Sequence, residues 1–442
     1  MNAAASVISR GALPWRRGVA WLLLLGPFFF LSYGFANRMA AHREITDSLV
    51  FGWERQIPFL PWTILPYWSI DLFYGLSFLC CCDRLQVDRH ALRLLSAQLI
   101  CVAVFLLFPL HFSFERPPTD GLFGAMFAAL MGFDQPYNQA PSLHIALLVI
   151  LWVRFAAALP AWRIVVHVWA VLIGVSVLTT FQHHFVDIPS GAAVGLLCLW
   201  LWPDAGPLSL AARQRGASPQ RRRLAAYYAG AAMLLALAAL YSGGAVLWLC
   251  WAALALGIVA FIYFAPGAAG FQKCDGQHSL AVTILLAPYL AAAWLNSRWW
   301  TRQRPGPDAI ADNVWLGRLP TDKEMAAGKF SALCDLTAEL PAPRGGWHYA
   351  GLPWLDLLPP DSAQLQAAAQ RIEALRVHGP LLVCCALGYS RSACAVAAWL
   401  LLTGRAASVD AAQALLREKR PQVVLGPEHR AALAALSSCA DE

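Results

Sequence analysis

Nine apolar stretches fill the first two thirds of the chain, near 18–37, 58–80, 94–114, 141–160, 163–181, 188–203, 224–242, 244–266 and 279–297. A helix needs about 20 apolar residues to cross the hydrocarbon of a bilayer. The stretches therefore predict an α-helical integral membrane bundle, a six-helix core with about three further spans. Of the 442 residues, 59% are hydrophobic and 13% charged, against about 25% charged in an average soluble domain. With a mean hydropathy of +0.52, a chain that is soluble throughout is excluded, as are disorder and low complexity. Length alone suggests about three domains. The net charge is +7, but the basic residues sit in short loops between apolar stretches. That is the pattern of cytoplasmic loops, not of a nucleic-acid surface. The twelve cysteines are scattered apart from the run Cys80, Cys81, Cys82. They form neither a disulfide framework nor a zinc-ribbon spacing.

The Lys/Arg bias predicts orientation. Arg10, Arg16 and Arg17 place the N-terminus in the cytoplasm, as do Arg84, Arg89 and Arg93 for their loop. The strongest marker is the loop with Arg213, Arg215, Arg221, Arg222 and Arg223. Loops around 115–140 and 181–187 then face outward. A signal peptide is the alternative for the first stretch, which lacks a clear cleavage site. The organisation expected is a six-span membrane domain over 1–205, additional spans over 206–297, an Arg- and Pro-rich linker over 298–311 and an α/β domain over 312–442. In that last part 314–316, 332–334 and 380–385 read as strands and 361–377, 391–402 and 408–419 as helices. The alternation suggests a parallel or mixed sheet.

The sharpest motif is Cys385-Ala386-Leu387-Gly388-Tyr389-Ser390-Arg391-Ser392, which follows a buried apolar strand and opens a helix. Five residues between Cys and Arg let a loop curl around one tetrahedral anion. Backbone N–H groups of Ala386, Leu387, Gly388, Tyr389 and Ser390, with the helix N-terminus, bind phosphate in such a loop. The same field favours a thiolate, which makes Cys385 a candidate nucleophile. Arg391 can hold two phosphate oxygens through its planar fork. Ser392 can donate to the sulfur as it leaves.

These residues resemble the dual-specificity branch of the protein tyrosine phosphatases over most of 312–435. Asn313-Val314-Trp315-Leu316-Gly317-Arg318 looks like that family's opening strand, and Arg420-Pro421 matches the approach to its closing helices. Leu352-Pro353-Trp354-Leu355-Asp356 looks like its general-acid loop. The resemblance implies that Asp356 protonates the leaving oxygen. Asp361 is the rival, although its place also suits a helix cap. The family has His before the nucleophile, and here Cys384 stands there. Cys384 is read either as a small buried side chain or as a redox partner of Cys385.

A second constellation spans two outward loops, Pro141-Ser142-Leu143-His144 and His183-His184-Phe185-Val186-Asp187. Ionisable groups at membrane boundaries are costly unless they serve a purpose or face water. His183 and Asp187 share a face if that stretch is helical. A carboxylate on one imidazole nitrogen leaves the other free to attack phosphorus, and His144 can supply a proton. Over about 50–203 the pattern resembles the type 2 phosphatidic acid phosphatase superfamily, K-x6-R-P, P-S-G-H and S-R-x5-H-x3-D. Arg116-Pro117 fits the first element, but Pro109 replaces its Lys, Leu143 replaces the Gly and Val177 replaces the Arg. The Pro-Ser-Leu-His and His-His-Phe-Val-Asp forms, with Gln56-Ile57-Pro58-Phe59-Leu60-Pro61, look more like the inositol phosphorylceramide synthase branch, which transfers a phospho-headgroup between lipids. The superfamily implies His183 as nucleophile, His144 as acid, Ser142 and Arg116 as phosphate ligands, and no metal. A metal held by His144, His183, His184 and Asp187 is the alternative.

The whole chain resembles a bacterial fusion of these two families. It is expected to be a membrane-bound phosphoric monoester hydrolase with two sites and no cofactor, acting on phospholipids or other phosphomonoesters at the bilayer. The alternatives are headgroup transfer in the membrane domain with a protein phosphatase tail, and an inactive lipid-binding scaffold. A transporter would need ionisable residues at mid-membrane, which these spans lack. Nine spans from a cytoplasmic N-terminus put the tail outside. Arg298, Arg302 and Arg304, and five cysteines in the tail, argue for the cytoplasm. The segment 279–297, with Pro288, is then the one that lies in the interface.

Overall fold

The computed structural model describes residues 14–43, 45, 47–204, 206, 208 and 218–438. The chain forms two compact units, 1–208 and 209–442. Arg10, Arg213 and Arg215 lie outside the described residues.

The first unit is helical. Its helices are α1 (Trp15–His42), α2 (Ile64–Leu76), α3 (Arg84–Leu107), α4 (Gly121–Met131), α5 (Leu143–Ala158), α6 (Arg163–Thr179) and α7 (Asp187–Leu201). Side-chain caps set two of the starts. Asp83 accepts from Gln86 N at 2.8 Å for α3, and Ser142 accepts from Ile145 N at 3.3 Å for α5. Glycine sets the closest helix pair. A Cβ at Gly191 or Gly195 of α7 would collide with the carbonyls of Ser142 or Ala146, so α7 lies directly against the start of α5. The two ends of this bundle differ. At one, Arg93 and Arg154 both pair with Asp204, and Arg17 pairs with Asp88. The histidines lie at the other, where α5 and α7 begin and α6 ends.

The second unit opens with α8 (Pro219–Ser242) and α9 (Leu249–Phe264). Ser218 caps α8, with Pro219 in its first turn. Next come a small hairpin, β1 (Lys273–Cys274) and β2 (Gln277–His278), then α10 (Leu280–Leu285) and α11 (Ala287–Trp300). Among the described residues of both units, five helical segments are long and apolar enough to cross a membrane. They contain α1, α3, α6, α8 and α9. The apolar stretches 58–80, 141–160 and 188–203 form shorter helices, and 279–297 breaks at Leu286 into α10 and α11. Pro288 sits in the first turn of α11, where it cannot extend a preceding helix. Helix α4 lies within 115–140, a stretch that reads as an outward loop.

The rest is an α/β domain. Its elements are β3 (Asp308–Ala311), β4 (Val314–Arg318), α12 (Asp322–Ala327), β5 (Ala332–Thr337), β6 (His348–Trp354), α13 (Ser362–Arg376), β7 (Leu381–Cys385), α14 (Arg391–Leu402), α15 (Val409–Lys419) and α16 (Pro427–Ser438). The sheet order is β3-β4-β7-β5-β6, with β3 antiparallel and the other four parallel. Alternation along β7 sends Leu381, Val383 and Cys385 into the core under α13 and α14, and Leu382 and Cys384 into the opposite face. The expected linker 298–311 is not a free connection. It holds the end of α11 and strand β3, and Arg304 pairs with Asp308 at 2.7 Å. Strand β6 runs through Pro353, in a stretch that reads as a loop. An edge strand tolerates that proline.

Candidate active site

Strand β7 is central in the parallel sheet, flanked by β4 and β5, so its C-terminal end opens where such sheets bind ligands. The chain turns there through 386–390 into α14. Cys385 Sγ accepts from Gly388 N and from Ser392 Oγ, both at 3.2 Å. These two donors stabilise negative charge on sulfur. Gly388 has φ +74°, and a Cβ there would strike the Gly317 carbonyl of β4. Only glycine permits this loop to lie against the neighbouring strand.

Arg391 is buried at the start of α14. Its Nη1 donates to Glu339 Oε2 and to the Trp354 carbonyl, both at 2.9 Å. Its Nη2 lies 2.5 Å from Glu339 Oε1 and 3.1 Å from Asp356 Oδ1. Burial alone would lower the Arg391 pKa, but Asp356 and Glu339 outweigh it and hold the guanidinium well above its ordinary value. Burial would likewise raise the Glu339 carboxyl. The charge and hydrogen bonds of Arg391 prevail and hold it below the usual range. Asp356 follows β6 and stays part-exposed, its carboxylate on the same arginine as the phosphate would be. Cys385 with its two donors, the Arg391 guanidinium and the Asp356 carboxylate thus gather at the C-terminal end of β7.

The other sequence candidates fall elsewhere. Asp361 caps α13, accepting from Gln364 N at 2.7 Å, while its own N–H donates to Gln364 at 3.0 Å. Cys384 is fully buried on the face of the sheet opposite Cys385, and burial pushes its thiol well up. Three residues here were not singled out for roles in this site. Glu339 sits in the loop after β5. Arg420 braces the nucleophile loop, donating to the Gly388 carbonyl at 3.0 Å and pairing with Asp308 at 2.8 Å. His429 of α16 lies 3.1 Å from Ser390 Oγ.

In the helical unit His183, Ser142 and Asp187 come together. His183 Nδ1 lies 3.0 Å from Asp187 Oδ2, and its Nε2 lies 3.1 Å from Ser142 Oγ. The expected shared helix face is corrected. His183 precedes α7 in an irregular turn, held by its N–H on the Val177 carbonyl at 3.1 Å, and Asp187 is the first residue of α7. His144 stacks on Tyr67 with ring centroids 4.2 Å apart, and its Nε2 is buried with no partner among the described residues. Arg116 does not reach these side chains. It donates to the carbonyls of Thr180 and Phe181, both at 3.1 Å, and so shapes the histidine loop. His184 forms a parallel relay that the sequence did not suggest, with Nδ1 3.1 Å from Glu54 and Nε2 3.1 Å from Ser113 Oγ. Glu54 is remote in sequence, and nothing local marks it. Among the described residues no three His, Cys, Asp or Glu side chains group as metal ligands.

A parallel sheet that ends in a cysteine-to-arginine anion loop defines a cysteine-dependent phosphatase. Residues 314–439 match the family described as dual specificity phosphatase, catalytic domain. The chain is a phosphoric monoester hydrolase. No curated protein matches it. Solved structures similar to part of it include the following three. Human DUSP28 shares 21% identity over 30% of this chain and 97% of its own, with a TM-score of 0.28. Tk-PTP in its active form shares 27% over 30% and 98%, with a TM-score of 0.28. PTPMT1 in complex with PI(5)P shares 19% over 30% and 94%, with a TM-score of 0.27.

Proposed function

We propose that the chain is a membrane-bound phosphatase whose C-terminal site hydrolyses phosphomonoesters of phospholipids. One observation carries this reading: the catalytic loops are seated on the apolar helical segment of their own unit. Ser297 Oγ of α11 donates to the Ala386 carbonyl at 2.5 Å, and Tyr389 OH donates to the Trp300 carbonyl at 3.2 Å. Helices α8 and α9 of that segment are each long and apolar enough to span a bilayer. A pocket fastened to such helices meets headgroup phosphates at close range.

The reaction follows from the residues. The Cys385 thiolate attacks phosphorus while Asp356 gives its proton to the leaving oxygen. Water then cleaves the phosphocysteine, and the Asp356 carboxylate takes the proton of that water. Arg391 and the loop amides hold the three phosphoryl oxygens through both steps, and Ser392 donates to the departing sulfur. The cytoplasmic reading of this domain is supported by the short helices α10 and α11. Helix α8 starts beside Arg221, Arg222 and Arg223, α9 returns, and among the described residues no further long apolar helix follows.

The relay Ser142–His183–Asp187 supports a second phosphoester site of the lipid phosphatase or headgroup transferase kind, with an outward-facing mouth. His183 is its nucleophile and His144 its proton donor. Arg116 is its phosphate ligand, with Nε and Nη2 already on the Thr180 and Phe181 carbonyls.

Phosphate release from a panel of lipid monophosphates in detergent tests both sites, with a phosphotyrosine peptide beside them. Loss of lipid hydrolysis in Cys385→Ser alone is the expected result. Loss in His183→Ala alone moves lipid hydrolysis to the helical unit. Activity on the peptide with none on lipids overturns the lipid reading of the tail.

A further inference from the structure

The general-acid loop is fastened by side chains that lie outside the phosphatase domain. Tyr263 OH, near the end of α9, donates to the Asp356 carbonyl at 3.0 Å. Gln220 Nε2, at the start of α8, donates to the next carbonyl, that of Leu357, at 3.0 Å. Leu357 has φ +60°, in the left-handed region that a leucine rarely enters. Its side chain is 60% exposed. Burial of that side chain therefore does not hold the turn, whereas the two donors grip it on either side of its peptide bond.

The donors are themselves fixed. Tyr263 is 1% exposed. Its ring packs on Tyr228 of α8 at 5.3 Å, which in turn meets Tyr289 of α11 at 6.0 Å. Arg221 of α8 donates to the carbonyls of Tyr263 at 2.5 Å and Ala265 at 3.0 Å, and so locks the start of α8 to the end of α9. Both donors thus belong to one rigid corner of the helical segment.

We propose that Tyr263 and Gln220 are positioning residues for Asp356, so that the α8–α9 corner completes the acid half of this active site. This rests on the reading of Asp356 as general acid. Tyr263 and Gln220 touch backbone, not substrate, and act by fixing where the Asp356 carboxylate stands beside Arg391. A purely structural tyrosine would lower all activities together. A positioning tyrosine lowers those that need a proton delivered to the leaving group.

The test compares two substrates on the full-length protein in detergent. Octyl phosphate has a poor leaving group that needs the acid, and para-nitrophenyl phosphate has a good one that needs it little. The readout is the ratio of their kcat/KM values, which covers only the steps up to phosphocysteine formation and does not change with the fraction of correctly folded enzyme. Tyr263→Phe and Gln220→Ala are expected to lower the ratio by about tenfold, inside the range of about 10²–10⁴ that general acid–base catalysis supplies. Asp356→Asn is expected to lower it further. If Asp356→Asn lowers the ratio and neither of the other variants does, the positioning role is overturned. If Asp356→Asn leaves the ratio at the wild-type value, the reading of Asp356 as acid fails first.

Discussion

Arg391 and Glu339 face one another as a buried two-pronged ion pair, with N–O distances of 2.9 and 2.5 Å and each side chain under 5% exposed. The Nη1–Nη2 end of the guanidinium is therefore held by a carboxylate, and its Nε–Nη2 edge is the one left to receive phosphate. A dianion entering the loop meets the negative charge of Glu339 across the same guanidinium. Glu339→Gln keeps the shape and removes the charge. We expect inorganic phosphate to raise the Tm of this variant more than that of wild type, since only the folded state binds it. A smaller rise would show that Glu339 orients Arg391 for phosphate instead of repelling it.

The same pair sets an acid limit. Glu339 is held below its ordinary value of 4.5 in the fold. A depressed carboxyl stabilises the folded state above the unfolded value, and that stabilisation is lost as pH falls through the lowered one. Wild-type Tm should therefore decline below about pH 4.5, and Glu339→Gln should show a shallower decline over that window. Parallel curves would assign the acid limit to other groups.

Gly388 tests the shape of the nucleophile loop. Any side chain at this position meets the Gly317 carbonyl and a positive φ at once. Gly388→Ala should pull the Gly388 N–H away from Cys385 Sγ and cost activity by about 10²-fold or more, in the range seen when one oxyanion donor is removed. Steady-state hydrolysis of para-nitrophenyl phosphate measures it. Activity within a few fold of wild type would mean that the loop has another accessible path.

How much of this site the sequence disclosed follows from how it is assembled. Cys385 through Ser392 is contiguous, and the chemistry of an anion loop is written in adjacent residues. Strands β4, β5 and β7 and helices α13, α14 and α15 followed from apolar runs and periodicity. Glu339, Arg420 and Tyr263 reach the loops from other elements, and no local pattern reports such a pairing. Strand β6 was masked by Pro353, and β3 by the Arg- and Pro-rich composition that reads as a linker. In the helical unit the i, i+4 spacing of His183 and Asp187 placed the right residues together for the wrong local reason. A turn anchored on Val177, not a helix, brings them within 3.0 Å.

Arg420 offers a test of bracing from behind the loop. It is fully buried and ties the Gly388 carbonyl, the Gly306 carbonyl and Asp308 to one guanidinium. Lysine keeps the charge but cannot make the planar fork. Arg420→Lys should lower kcat with little change in KM for a soluble phosphomonoester, because the loop amides lose their support. A change in KM alone would place Arg420 in substrate binding instead.

Lys273 extends the phosphatase unit upstream of its matched span. Its ammonium, 3% exposed, reaches from the β1–β2 hairpin to Asp335 of β5 at 2.6 Å, and also donates to the Thr337 and Leu340 carbonyls. Asp335 is paired in register with Cys384, next to the nucleophile, and accepts from Tyr349 OH at 3.2 Å. Removing one partner of a buried pair costs about 3–5 kcal/mol, while replacing both by apolar groups is often neutral. Lys273→Met should therefore lower Tm sharply and reduce turnover, and Lys273→Met with Asp335→Leu should recover much of the Tm. The two single variants and the double one form a thermodynamic cycle. Additive losses would show that the hairpin merely lies beside the sheet. Recovery in the double variant would show that the hairpin and the strand beside the nucleophile fold as one energetic unit, so that the catalytic domain begins well before its first matched strand.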